Sequence, residues 1–340
     1  MEDPVHKALV IGGGSFGTAL ALILARKGAN VSVWVRQADQ AELVNRTREN
    51  TKYLPGTKLP ENLVFTNNLD ASITEALELV IFAIPTQFLR PFLEEHRNTF
   101  PVKIPLLQSA KGIEIGTLKT PYDIMTDELP GKYGKYICVL AGPSFAKEMA
   151  AGLVTNVTVA APDREVCERA QRMMSARAAN FRCYASPDYM GCEIAGAVKN
   201  VLAIASGASH GLGLGLNARA ALICRGLHEM TLLAKALGSN GAAMSGLAGV
   251  GDLLLTCSSE MSRNFTVGLR IAKGETLDQI MLNATSVAEG VTSARSVKEL
   301  AESLGVEMPF VSQVYDVLYN SKSVIDALVY LQDRPLTAEN

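Results

Sequence analysis

In the first half of the chain, apolar residues fall into short runs separated by turns and by stretches of helical spacing. Ala8-Leu9-Val10-Ile11 reads as a strand, and 15–27 as a helix with Gly28 at the position just past its end, where a left-handed backbone is wanted. Val31-Ser32-Val33-Trp34-Val35 is a second strand. Leu79-Val80-Ile81-Phe82-Ala83-Ile84 is apolar almost without a break, as expected for a strand covered on both faces. Further strands are predicted near 104–107, 137–140, 154–160 and 181–184. Strands alternating with helices predict a parallel sheet with helices on both sides. From about Asp188 the strand signals stop, and helical spacing dominates over 189–206, 217–237, 290–304 and 310–319. The pattern predicts an α/β fold: a doubly wound, mainly parallel sheet followed by an all-α C-terminal domain. Ser186-Pro187 is the expected boundary, giving parts 1–187 and 188–340.

Length and composition agree with this division. A chain of 340 residues suggests two domains. With 48% hydrophobic and 19% charged residues, there is ample material for packed cores, which excludes general disorder. The 32 basic and 34 acidic residues leave a net charge of −2, which argues against a nucleic-acid or anionic-membrane partner. No apolar run is long enough to span a bilayer, and Met1-Glu2-Asp3-Pro4 does not read as a signal peptide. The six cysteines form no Cys-x-x-Cys pair and sit mostly in apolar runs, so buried free thiols in a reducing compartment are expected. The four histidines have no ligand spacing, and no metal centre is expected.

The first strand runs into Gly12-Gly13-Gly14-Ser15-Phe16-Gly17 and then a helix. This is G-x-G-x-x-G in the setting its chemistry requires. The first glycine permits a tight turn, the second lets backbone approach a pyrophosphate, and the third lets helix and strand pack closely. The helix N-terminus then offers free N–H donors to the phosphates. A Rossmann-type dinucleotide domain is therefore expected over 1–187. Such domains commonly place a carboxylate at the end of the second strand for the ribose; here the chain reads Trp34-Val35-Arg36. Arg36 suits a 2′-phosphate or stacking on adenine equally with a plain surface role, which leaves NAD and NADP both open. Loops at Ile84-Pro85-Thr86-Gln87-Phe88, Ser109-Ala110-Lys111-Gly112 and Ala141-Gly142-Pro143-Ser144-Phe145-Ala146 follow strands and so face a bound ligand. Lys111 is either an anion-binding group or a surface lysine in a turn. Ser144 is either a ligand contact or a helix cap.

The stretch from Gly191 to Ala205 is apolar nearly all round and so predicts a buried helix, yet Lys199 and Asn200 stand in its middle. A buried ammonium needs a partner or a lowered pKa. A lysine so tuned can give a proton to a carbonyl oxygen and take it back. The structural alternative is an ion pair, with Asp252 of the glycine-rich stretch Gly246-Leu247-Ala248-Gly249-Val250-Gly251-Asp252 as partner. Ser262-Arg263-Asn264 offers a guanidinium fork suited to phosphate, or is an ordinary polar loop. His210 reads as structural.

These pieces together resemble the NAD(P)-dependent glycerol-3-phosphate dehydrogenase family. The matching segments run in order: Gly12–Ala21, the Pro85 loop, Lys111-Gly112-Ile113-Glu114, Ala141–Ala146, Val198-Lys199-Asn200-Val201-Leu202-Ala203-Ile204, Gly211–Ala221, Arg225-Gly226-Leu227, Gly246–Asp252 with Thr256-Cys257, and Ser262-Arg263-Asn264. The lysine–asparagine helix and the Ser-Arg-Asn loop are the most diagnostic, and the loops around Pro85 and Ala141 are similar to those of trypanosomatid members. The resemblance implies reversible reduction of dihydroxyacetone phosphate to sn-glycerol 3-phosphate by NAD(P)H, between glycolysis and the supply of glycerol and phospholipid precursors. It implies Lys199 as proton donor and acceptor. Lys111, Gly142, Ser144, Asn200, Asp252, Thr256, Ser262, Arg263 and Asn264 are implied around a phosphorylated three-carbon substrate, with the phosphate on Arg263 and Asn264. Gly12, Gly13, Gly14, Ser15, Phe16, Gly17, Arg36, Phe88, Lys111, Ala146, Arg263, Val287 and Glu289 are implied at the cofactor, NAD with NADP as the alternative. A homodimer is also implied. The chain ends Thr-Ala-Glu-Asn rather than in a Ser-Lys-Leu-like address, so a cytoplasmic rather than glycosomal location is expected.

Overall fold

β1 (Lys7–Ile11) shows why its sequence is apolar at successive positions. Ala8 and Val10 enter one core, whereas Leu9 and Ile11 enter another on the opposite face of the sheet. A strand clad on both sides needs apolar residues at both phases of the pleat. The computed structural model describes residues 2–282 and 288–336. Its sheet is completed by β2 (Asn30–Trp34), β3 (Leu63–Thr66), β4 (Leu79–Phe82), β5 (Leu106–Gln108), β6 (Ile137–Ala141), β7 (Thr155–Ala160) and β8 (Phe181–Ser186), in the order β3-β2-β1-β4-β5-β6-β7-β8.

Helices α1 (Ser15–Lys27), α2 (Ala38–Thr47), α3 (Leu69–Ser72), α4 (Leu89–His96), α5 (Pro121–Glu128), α6 (Ala146–Ala150) and α7 (Arg164–Met174) connect the strands. α1 has the extent its pattern predicts, and Gly28 ends it with φ 106°, donating back to Ala25 and Leu24. The sheet is parallel from β3 to β6. It then departs from the uniform run, because β7 pairs antiparallel with β6 while β8 runs parallel to β7. The cause lies in the connections. A parallel crossover needs an element long enough to return the chain along the sheet, and the five-residue α6 is too short. The eleven-residue α7 between β7 and β8 is long enough.

The helical part comprises α8 (Tyr189–Gly211), α9 (Gly215–Ala236), α10 (Asp252–Cys257), α11 (Arg263–Ala272), α12 (Leu277–Leu282), α13 (Glu289–Ser303), α14 (Pro309–Tyr319) and α15 (Val324–Gln332). α8 is its axis, and α9, α10, α11, α13 and α14 pack around it. α8 and α11 approach closely because glycines meet backbone: a Cβ on Gly207 would lie 1.9 Å from the Phe265 carbonyl oxygen, and one on Gly268 1.9 Å from that of Ile204. A small cluster of Val139, Ala141 and Ala160 with Cys192, Ala243 and Ala248 joins the sheet to the helices.

Sequence pattern left β3 and α15 unrecognised. β3 offers only Leu63-Val64-Phe65-Thr66 between turn residues, and the segment past Asn320 carries no motif, yet Ser323 caps α15 by accepting from Asp326 N. Five cysteines are buried as expected; Cys224 is exposed, because it lies on the outward face of α9. Among the described residues no helix is long and apolar enough to cross a membrane.

Candidate active site

The glycine loop has the backbone geometry its spacing predicts. Gly12 has φ +111°, which suits glycine, and a Cβ there would sit 2.4 Å from the Ala83 carbonyl oxygen. A Cβ on Gly17 would lie 1.9 Å from the Gly12 carbonyl oxygen, so α1 can lean onto β1 only without one. Gly14 is different: nothing lies within 4 Å of its would-be Cβ, which leaves open space at the N-terminus of α1. Backbone donors facing open space fit a dinucleotide pyrophosphate.

A residue that sequence reasoning missed secures this loop. Buried Asn50 donates to the Gly13 carbonyl (2.9 Å) and to the Thr18 hydroxyl (2.8 Å). It is remote in sequence and belongs to no local motif, so no signal marks it. Gly13 itself fits against Val35 and Phe65, and the Ser15 hydroxyl donates to the Tyr53 carbonyl at 2.6 Å. Arg36 lies over the ring of Phe88, its guanidinium carbon 5.9 Å from the centroid, and both side chains are exposed.

The second element of the site is built from side chains. Lys199 Nζ lies 2.6 Å from Asp252 Oδ1 and 3.0 Å from the Thr256 hydroxyl. Lys111 Nζ reaches the other oxygen of the same carboxylate, Asp252 Oδ2, at 3.1 Å. Asp252 is 1% exposed and Lys199 5%. One carboxylate thus bridges two ammonium groups from different segments. The Thr256 hydroxyl donates back to the Asp252 carbonyl at 2.6 Å, fixing the turn that carries both. The glycine-rich stretch before Asp252 is a π-turn over Leu247–Gly251, which leads α10 in with Asp252 as its first residue.

Burial lowers the Lys199 pKa to about 8; nearby Lys111 pushes the same way, while Asp252 holds it up. Burial alone would raise the Asp252 carboxyl, but the two ammonium groups outweigh it and hold the group below its ordinary range. A lysine with a lowered pKa and an ion pair with Asp252, both raised by the sequence, therefore occur together. Lys111 lies over the ring of Phe16, 5.5 Å from the centroid, and its stem runs beside Gly196. The side-chain cluster and the glycine loop consequently meet at Phe16.

Two comparisons with known proteins decide what this site belongs to. Family models described as the NAD-dependent glycerol-3-phosphate dehydrogenase N-terminus and C-terminus match residues 7–167 and 188–329. The chain is 47% identical to a glycosomal glycerol-3-phosphate dehydrogenase [NAD(+)] of Leishmania mexicana, over 96% of this chain and 90% of that protein. The chain belongs to the NAD-dependent glycerol-3-phosphate dehydrogenase family. It is also 46% identical to a glycerol-3-phosphate dehydrogenase [NAD(P)+] of Anaeromyxobacter dehalogenans, covering 97% of this chain and 99% of the other. The glycerol-3-phosphate dehydrogenase structure from Coxiella burnetii superposes with a TM-score of 0.90 at 34% identity, covering 98% of this chain and 100% of that one. Glycerol-3-phosphate dehydrogenases interconvert dihydroxyacetone phosphate and glycerol 3-phosphate with NAD(P), and this chain is such an oxidoreductase.

The remaining residues implied by the family resemblance take varied places. Asn200 and Asn264 are buried and bonded to each other, Asn264 Nδ2 donating to Asn200 Oδ1 at 2.9 Å. Asn264 Oδ1 also accepts from Gly290 N at 2.9 Å, so this amide joins α8, α11 and α13. The Ser262 hydroxyl caps α11 by accepting from Phe265 N. Arg263, the next residue, is exposed, at the start of that helix. Glu289 opens α13; burial pushes its carboxyl up, and Arg263, Lys111 and Lys199 draw it down, which places it in the same field. The Ser144 hydroxyl donates to the Gly142 carbonyl at 2.8 Å, and Ala146 packs on the sheet's first core. Val287 lies outside the described residues. The His210 ring meets Arg219 and stacks near Phe265, in keeping with a structural part.

Two further side chains were present in the quoted motifs without their roles being readable. Gln87 brackets the Lys111 loop, donating to the Ile113 carbonyl (2.9 Å) and accepting from Ile115 N (3.1 Å). Glu114 binds Arg90 through both oxygens at 2.8–3.0 Å. Such paired contacts fix the loop in direction as well as distance.

Proposed function

We propose that Lys199 delivers the proton to the carbonyl oxygen of dihydroxyacetone phosphate, and recovers it when glycerol 3-phosphate is oxidised. The observation that carries this reading is the Lys199–Asp252–Lys111 bridge, which holds a buried ammonium with a pKa of about 8 beside the glycine-loop crevice. A donor poised near the working pH both gives and takes a proton readily. Asp252 keeps Lys199 oriented and Thr256 supplies a second fixed partner. Lys111 adds positive charge where charge develops on the substrate oxygen. Arg263 at the start of α11 receives the substrate phosphate, with the helix N-terminus behind it. Asn264 and Ser262 flank Arg263 in the chain, Asn200 bonds to Asn264, and Gly142 and Ser144 belong to the loop whose Pro143 lies near Gly251, beside Asp252.

Gly12–Gly17 with Phe16, Arg36, Phe88, Ala146 and Glu289 would hold NAD(P)H, which would supply the hydride when bound. Arg36 over Phe88 suits stacking on an adenine or a contact to a 2′-phosphate, so NAD and NADP both fit this reading. In this reading residues 1–187 hold the cofactor, residues 188–340 the substrate, and the chain works as a homodimer. The five buried free thiols favour a reducing, cytoplasmic setting.

The test is to follow NADH and NADPH absorbance separately with dihydroxyacetone phosphate for wild type and Lys199→Met. Loss of turnover with cofactor affinity retained supports the reading. Wild-type turnover in the variant overturns it. Sedimentation of the purified protein tests the dimer.

A further inference from the structure

The loop that carries Lys111 leaves the sheet at Gln108 and re-enters regular structure at α5. Both ends of that loop are gripped by a single oxygen. Glu193 Oε1, on α8, accepts from Gln108 Nε2 at 2.6 Å and from Tyr122 N at 2.9 Å. Glu193 is 3% exposed and Gln108 1%. Burial pushes the Glu193 carboxyl well above the usual range, Asp123 pushes the same way, and the two donated hydrogen bonds oppose them without reversing the outcome. A second, independent observation concerns Gln108. Its Oε1 is buried and, among the described residues, receives no hydrogen bond. A buried amide oxygen without a donor is costly.

We propose that Glu193 and Gln108 form a reciprocal acid–amide pair across the junction between sheet and helices, and that this pair positions Lys111 against the Lys199–Asp252 bridge. In it the Gln108 amide donates to Glu193 Oε1, and the carboxylic-acid proton on Glu193 Oε2 is donated to Gln108 Oε1. One proton then answers two problems at once, the buried carboxyl and the orphaned amide oxygen. Because Lys199 lies further along the same helix as Glu193, the pair couples the loop bearing one lysine to the helix bearing the other. Glu193 is thus a positioning residue and touches no reacting atom. Its part rests on Lys199 and Lys111 acting as proposed above.

Three variants and one spectrum test this. Glu193→Met removes both halves of the pair and is expected to lower kcat/KM for dihydroxyacetone phosphate by about tenfold to a hundredfold through misplacement of Lys111, with cofactor affinity held within about threefold. Glu193→Gln preserves a reciprocal amide–amide pair and is expected to rescue kcat/KM to within about threefold of wild type, with the pH profile unmoved because no charge has changed. The swapped double variant, Gln108→Glu with Glu193→Gln, rebuilds the pair in the opposite sense and rescues likewise. The infrared difference spectrum of wild type minus Glu193→Gln at neutral pH is expected to show loss of a protonated-carboxyl C=O band. This arm needs no turnover, so it stands apart from the assignment of Lys199, and it remains if Glu193→Met does not fold. Loss of an ionised-carboxylate band instead, or a Glu193→Gln variant as impaired as Glu193→Met, or a displaced pH profile in Glu193→Gln, would each overturn the proposal.

Discussion

The glycine loop and the lysine cluster make opposite use of the chain. In the proposed reading the loop binds cofactor through backbone, its residues are consecutive, and its working parts are the atoms that are absent: no Cβ at Gly12, Gly14 or Gly17. The cluster works through side chains, and its residues come from a sheet loop (Lys111), the middle of a long helix (Lys199) and the start of another (Asp252). A backbone site is damaged by adding atoms, whereas a charged site is damaged by removing them. The first should respond in cofactor affinity, the second in chemistry and pH dependence.

The largest effect is expected at Lys199. Lys199→Met should lower kcat by about 10²–10⁴-fold, the usual worth of a positioned acid–base group, with cofactor dissociation constants almost unchanged by titration. Gly17→Ala tests the other region. The added methyl must displace the Gly12 carbonyl, so NADH affinity should fall by about tenfold or more while the pH profile of the residual activity stays where it was. An affinity loss in Lys199→Met equal to that in Gly17→Ala would dissolve the contrast between the regions.

The charge cluster makes a signed prediction about pH. With Lys199 as the proposed donor, ketone reduction requires it protonated, so kcat/KM for dihydroxyacetone phosphate should hold at low pH and fall as pH rises past about 8; alcohol oxidation should show the opposite limb. Asp252→Asn removes the charge that holds the ammonium protonated, and should move the limb down by about one unit. Lys111→Met removes the like charge and should move it up. Shifts of the same sign in both variants would exclude the bridge as the tuning device. The smallest effect is expected at the rim, where Arg36→Gln should alter the NADPH-to-NADH ratio of kcat/KM by about threefold, since the guanidinium is solvated and screened.

The comparison also explains what could be read early. β1, the glycine loop, α1 and Gly28 were legible because each depends on neighbours in sequence: pleat phase, turn, helix period, left-handed end. Lys199 was legible as an anomaly, a cation in an apolar helix. Its partner was legible only as a candidate, because nothing local aims Asp252 at it. The reversal at β7 was not foreseen, since strand direction depends on whether the connecting element is long enough to return the chain. Asn50 and Arg90 escaped altogether, and Gln87 and Glu114 stood in quoted motifs without a role, because a hydrogen bond between distant segments leaves no period in either.

By itself the sequence determined the cofactor loop, the two-part plan and a lysine in need of a partner, for these follow from backbone conformation and from the cost of burying charge near its own neighbours. Only the tertiary structure decided that Lys199 would be buried deeply enough to bring its pKa down to about 8, and that Asp252 would be shared by Lys199 and Lys111. Electrostatic energy in a buried site depends on distances between segments that the chain order does not specify.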